Sequence, residues 1–181
     1  MHALGKALAL SGALLAVVIL ANPQKKEMTD AEYTAKALSA APEAVAHGAA
    51  VVRVQNDGSM KTIREGKNGF TCVVMGTDRM CNDANSMEFI HALMNKKSPP
   101  DKVGISYMLA GDEGASNTDP YATEKKTDNH WVVTGPHLML FGPASKTLGY
   151  TEEKDPDPTR PYMMWAGTPY EHAMIPVGKR R

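Results

Sequence analysis

The 181-residue chain has only two cysteines, Cys72 and Cys81, and no net formal charge, with 20 Lys and Arg balancing 20 Asp and Glu. Two cysteines exclude a disulfide-dense scaffold and a thiolate zinc cluster. Their spacing, with eight residues between them, is neither the C-x-x-C of thiol oxidoreductases nor the C-x-x-C-H of haem attachment. A balanced charge whose basic cluster is confined to Lys179-Arg180-Arg181 argues against a nucleic-acid partner. Long hydrophobic runs are missing as well. The longest uncharged apolar stretch, Ala7 to Ala21, covers fifteen residues, short of the roughly 20 that a membrane-spanning helix needs.

That run follows Lys6 and ends in Ile19-Leu20-Ala21, which offers a small residue for cleavage, so residues 1–21 read as a secretory signal peptide. The alternative is an uncleaved N-terminal anchor. Cleavage would remove Lys6 alone among the charged groups and leave a formal charge of −1. The expectation is an exported protein, periplasmic or extracellular, with no stable membrane anchor after cleavage. In an oxidising compartment Cys72 and Cys81 are most simply a disulfide, tying the end of a strand to the loop before the next helix. Closing so short a loop stabilises by about 2 to 3 kcal/mol in the chain-entropy picture.

The remaining chain divides into an N-terminal helical segment, residues 22–48, and a single domain over residues 49–181. Thr29-x-x-Glu32 is a capping-box pattern that starts a helix from Thr29 to Ala40, with a thin, alanine-rich apolar face lying against the domain's edge. Val51 to Val54, the turn residues Asn56-Asp57-Gly58, and Met60 to Ile63 read as a hairpin. Asn68-Gly69 adds a second turn and Phe70 to Val74 a third strand, giving an antiparallel meander. A second helix from Asp83 to Lys97, stopped by Ser98-Pro99-Pro100, carries Ala84, Met87, His91 and Met94 on one side, a stripe that reads as core packing with one boundary histidine.

Beyond Lys97 the composition changes, since ten of the twelve prolines lie between Pro99 and Pro176. Proline removes a backbone donor and breaks helices, so this half should be short strands joined by ordered loops. The candidates are Val103 to Ala110, Trp131 to Thr134, His137 to Phe141, Tyr162 to Trp165 and Glu171 to Val177. The fold class expected is α+β, a mixed or antiparallel sheet with two main helices in the N-terminal half and a proline-rich C-terminal half of strands and loops.

An ordered set of motifs runs through this region: G-F-T-C (Gly69 to Cys72), M-C-N-D (Met80 to Asp83), G-I-S-Y-M-L (Gly104 to Leu109), A-S-N-T-D-P (Ala115 to Pro120), G-P-H-L-M (Gly135 to Met139) and P-Y-M-M-W-A-G-T-P-Y (Pro161 to Tyr170). The set resembles a group of uncharacterised exported bacterial proteins. The resemblance implies export and brings no activity with it.

Chemistry must then come from side chains. Histidine followed two positions later by methionine occurs twice, as His137-Leu138-Met139 and His172-Ala173-Met174, each inside a candidate strand, where alternation puts both members of a pair on one face. If the two strands were neighbours, two imidazoles and two thioethers would converge, a metal set that suits copper, Cu(I) above all. Met163-Met164-Trp165 and His130-Trp131 add soft or aromatic neighbours. The plainer alternative is hydrogen-bonded strand histidines among core methionines. The loop from Gly111 to Asn129 offers a different site, because Asp112, Glu113, Asp119, Glu124 and Asp128 could hold a hard cation, or Asp112 or Asp119 could serve with His137 or His172 as catalytic groups. The loop lacks EF-hand spacing, and Met108 stands where the G-x-S-x-G nucleophile pattern around Ser106 needs glycine. Two function classes follow. One is a non-catalytic exported binding protein for a soft metal or a small ligand. The other is an extracytoplasmic hydrolase with a His/Asp site.

Overall fold

The structure, a computed structural model, describes residues 27–179. The segment expected to be a signal peptide, residues 1–21, lies outside the described residues. Helix α1 (Asp30–Leu38) begins as its sequence dictates: Thr29 Oγ1 accepts the Glu32 amide, and the Glu32 carboxylate accepts the Thr29 amide. It is followed by a single helical turn, α2 (Glu43–Ala46). Tyr33 and Ala37 of α1 are buried. The Tyr33 hydroxyl reaches into the sheet, where it accepts the Val74 amide and lies within hydrogen-bonding distance of the Val52 and Val74 carbonyls. The small alanine face lets the helix lie flat on the sheet, where a row of larger side chains would hold it off.

The sheet has eight strands and is mixed. Its strands are β1 (Ala50–Val54), β2 (Met60–Arg64), β3 (Thr71–Met75), β4 (Asp78–Asn82), β5 (Gly104–Met108), β8 (His137–Phe141), β9 (Tyr162–Met164) and β10 (His172–Pro176), in the order β2-β1-β3-β4-β5-β8-β10-β9. A separate two-stranded pair, β6 (Ala115–Ser116) and β7 (Trp131–Val132), closes the base of the long polar loop. The β1–β2 hairpin turns through Gly58, whose φ of 81° is the left-handed conformation this turn needs.

Three expectations are corrected. The first three strands are not an antiparallel meander, because β3 returns to the far edge of β1 and pairs with it in parallel, Ala50 opposite Thr71 and Val51 opposite Cys72. The connection passes so close to β1 that a Cβ at Gly66 would lie 2.0 Å from the Ala50 nitrogen. Second, Cys81 is not in a loop. It sits in β4, a strand hidden in the sequence by Asp78 and Arg79, and it faces Cys72 directly across the β3–β4 hairpin, with the two Cα atoms 4.0 Å apart and the sulfurs bonded. Third, the Met-His-Met stripe of α3 (Ala84–Met94) is not the core face. Its buried residues are Ser86, Phe89, Ile90 and Ala92, while His91 and Met94 are exposed. Asp83 fixes this rotation, because one of its carboxylate oxygens accepts the Ser86 amide and hydroxyl and the other accepts the Ile105 amide of β5. Gly104 completes the contact, since a Cβ there would lie 2.6 Å from the Ser86 nitrogen.

The two helices cover opposite faces of the sheet. Under α1 lie Val51, Cys72, Val74 and Cys81, and under α3 lie Met108, Met139, Phe141, Tyr162, Met164 and Met174. Among the described residues, no helix is long and apolar enough to cross a membrane.

Candidate functional site

β8 and β10 are neighbours, and their register places Met139 opposite Met174 and His137 opposite Pro176. On the other side of β10, His172 is opposite Met164 of β9. Directly paired residues point to the same face of a sheet, and alternation carries that face along each strand. His137, Met139, Met164, His172 and Met174 therefore all project from one face, the one that α3 covers.

Both histidines are held by the same local device. His137 Nδ1 lies 2.7 Å from the Gly135 carbonyl and His172 Nδ1 lies 2.9 Å from the Tyr170 carbonyl, in each case two residues upstream. A carbonyl only accepts, so Nδ1 carries the proton and Nε2 of the neutral ring is a lone pair. Both Nε2 atoms are buried and have no hydrogen-bond partner, in side chains that are 0% and 1% exposed for His137 and His172. Burial holds the His137 imidazole below its ordinary pKa, against an opposing effect of the Gly135 carbonyl. It pushes His172 down to about 4; the Tyr170 carbonyl opposes this and the charge of His137 adds to it. Both rings are thus neutral near pH 7, the form that binds metals.

The surroundings of the two rings differ. His172 sits in an aromatic shell, with the Phe141 and Trp165 ring centroids each 4.9 Å away and Phe89 of α3 at 6.0 Å. Phe89 also forms one wall of a cleft of about 250 Å³ bordered by Pro99, Gly142, Pro169 and Glu171. His137 instead has its Nε2 4.0 Å from Oδ2 of the buried Asp112. The other oxygen of Asp112 accepts the Thr134 amide, and the Thr134 hydroxyl bonds the Tyr162 phenol at 2.8 Å. Burial raises the pKa of that phenol.

The four soft-metal candidates share a face, with Met139 and Met174 direct cross-strand partners. At the backbone, the two histidines stand towards opposite ends of the strand pair. His172 is four residues along β10 from the partner of His137, an offset of about 13 Å at roughly 3.3 Å per residue. Of the acidic candidates, Asp112 reaches His137, whereas Asp119 is exposed and accepts the Tyr121 amide in a loop turn. That loop borders an open groove of about 430 Å³. Among the described residues, no group of three or more His, Cys, Asp and Glu is placed to hold a metal ion. His130 is committed elsewhere, to a surface contact with Asp155 at 2.9 Å.

Sequence reasoning missed Asn82 and considered Ser106 only as a nucleophile, not as its partner. Asn82 and Ser106 are fully buried, stand opposite one another on β4 and β5, and have polar atoms with no hydrogen-bond partner. Ser106 is in turn opposite Met139, so one cross-strand row runs Asn82, Ser106, Met139, Met174, Tyr162. Only strand order reveals that row. No protein-family model, no curated protein and no solved structure matches the chain.

Proposed function

We propose that the protein is an exported, non-catalytic binding protein for a soft metal ion, held on the methionine-rich face beneath α3. The observation that carries this reading is the pair of imidazoles whose tautomer is fixed by a backbone carbonyl and whose Nε2 lone pairs are buried without a partner. A buried polar atom left unpaired costs about 1 to 3 kcal/mol. Metal-binding histidines commonly donate the other ring N–H to a carbonyl or carboxylate, which is the arrangement both rings have. Thioether neighbours favour a soft ion over magnesium or calcium. Export is supported by the apolar segment of residues 7–21 and by the Cys72–Cys81 bridge, which oxidising compartments permit.

The test is titration of the purified protein with Cu(I) and Zn(II), beside a His137→Ala/His172→Ala double variant. Tight binding by wild type, lost in the double variant, is the expected result. Equal affinity in both proteins would remove the reading.

A second reading has its own observation. The buried Asp112 carboxylate stands 4.0 Å from His137 Nε2, and an extracytoplasmic hydrolase built on this pair would need the ring proton on Nε2, whereas the Gly135 carbonyl holds it on Nδ1. His137 is also fully buried, and Asp112 is 7% exposed, so substrate would have to open the domain to reach them. Binding remains the better supported function.

A further inference from the structure

Resting on the soft-metal reading, we infer that the ion is Cu(I) and that its protein shell is the His172 imidazole with the thioethers of Met164 and Met174, under the rings of Trp165 and Phe141, with His137 outside it. The two His-x-Met repeats suggest a symmetric site built from both. Strand order points elsewhere. His172 and Met164 are direct cross-strand partners, which puts their Cβ atoms about 4.5 to 5.5 Å apart. Met174 is the next residue on the same face of β10, and Met139 stands beyond it on β8. His137, offset by about 13 Å along the strands, has Asp112 and the cross-strand Met108 for neighbours instead.

The chemistry of the His172 neighbourhood selects the ion. Beside the neutral imidazole itself stand the aromatic rings that it touches and Met164, paired to it across the strands, with the Trp165 ring edge-on at 4.9 Å and 70°. Thioether sulfur is a soft neutral donor that favours Cu(I). Zn(II) and Cu(II) gain more from thiolate, carboxylate or several imidazoles, none of which this group supplies. A monovalent ion is also the least costly to place among apolar rings, since the penalty for burying charge rises steeply with the charge. The backbone at Trp165 supports a fixed role for the indole. Trp165 adopts a φ of 57°, rare for a bulky residue, and is held there by its amide on the Asn117 carbonyl and its indole N–H on the Ser116 carbonyl at 2.7 Å. These two bonds tie the indole beside His172 to the base of the long loop.

The experiment is a Cu(I) titration of the full chain read by Trp165 emission. Trp131→Phe is the common background, because the chain has two tryptophans. Cu(I) should bind one per chain and quench Trp165. Met164→Leu and Met174→Leu conserve volume and keep the core packed; each should weaken binding by roughly 10-fold or more. His172→Ala should weaken it by about 100-fold or more, beyond the usual effect of losing an outer-shell partner. Met108→Leu should leave affinity within about 3-fold, and His137→Ala should weaken it far less than His172→Ala does. Cu(I) binding that His137→Ala weakens as much as His172→Ala does, or that Met164→Leu leaves at the wild-type value, would overturn this shell while leaving the soft-metal reading in place. Absence of Cu(I) binding by the parent protein would overturn both. The leucine variants decide the matter even if His172→Ala does not fold.

Discussion

His172 shows how a single side chain couples folding to solution conditions. Its imidazole is fully buried with a pKa of about 4, against 6.5 in an unfolded chain. Between those values the unfolded state binds the proton and the folded state does not, so stability rises with pH across the interval. The contribution is complete above pH 6.5 and is lost as pH falls through 4. A shift of this size is worth on the order of 3 kcal/mol. His137 is shifted in the same direction, also by burial. Urea unfolding of metal-free protein at several values between pH 7 and 4 should give stability that declines steadily with acid. The decline should be shallower in His172→Leu, which has nothing to titrate there. Parallel pH profiles for the two proteins would mean that the imidazole is not buried in neutral form.

At the scale of elements, what could be read from the sequence was what local chemistry decides. Thr29 and Glu32 mark the start of α1, Asp57-Gly58 marks its hairpin, and the alternating His137-Leu138-Met139-Leu140-Phe141 coincides with β8 from end to end. What long-range packing decides was not legible. Asp78 and Arg79 give β4 the look of a loop, and its strand character comes from pairing with β3 on one side and β5 on the other. The rotation of α3 depends on Asp83 capping the helix while holding the Ile105 amide of another strand, which no periodicity within the helix encodes. The disulfide lies between these cases. Its pairing follows from there being two cysteines, while its position across a hairpin follows from β4. Joining directly opposed residues of the β3–β4 hairpin, the bridge should contribute about 2 to 3 kcal/mol by restricting the unfolded chain. Non-reduced, unfolded protein should show no titratable thiol, and Cys72→Ser/Cys81→Ser should unfold at a correspondingly lower denaturant concentration with the same native circular dichroism. Two reactive thiols per chain would contradict the bridge.

Across the whole molecule, one sheet serves two cores. The α1 face is a packing surface of small side chains around Cys72 and Cys81, and the α3 face gathers the methionines, the aromatic rings and both buried histidines. The candidate site was half legible for the same reason. Alternation placed each His-x-Met pair on one face of its strand, but only the order β5-β8-β10-β9 makes Met164 the partner of His172 and leaves His137 to Asp112. If the two faces share stability through the sheet but divide function, a change on the α1 side should weaken the fold without touching the site. Tyr33→Phe is such a change, because it removes the hydroxyl that accepts the Val74 amide and leaves that buried N–H without its side-chain partner. The expected loss is about 1 to 3 kcal/mol. Unfolding followed by Trp165 emission, which reports the α3 face, should shift together with unfolding followed by backbone circular dichroism, as one cooperative transition. Affinity for Cu(I) under native conditions should stay at the wild-type value. Separate transitions would show that the faces unfold independently, and a loss of affinity would show that the α1 face helps to shape the site through the strands.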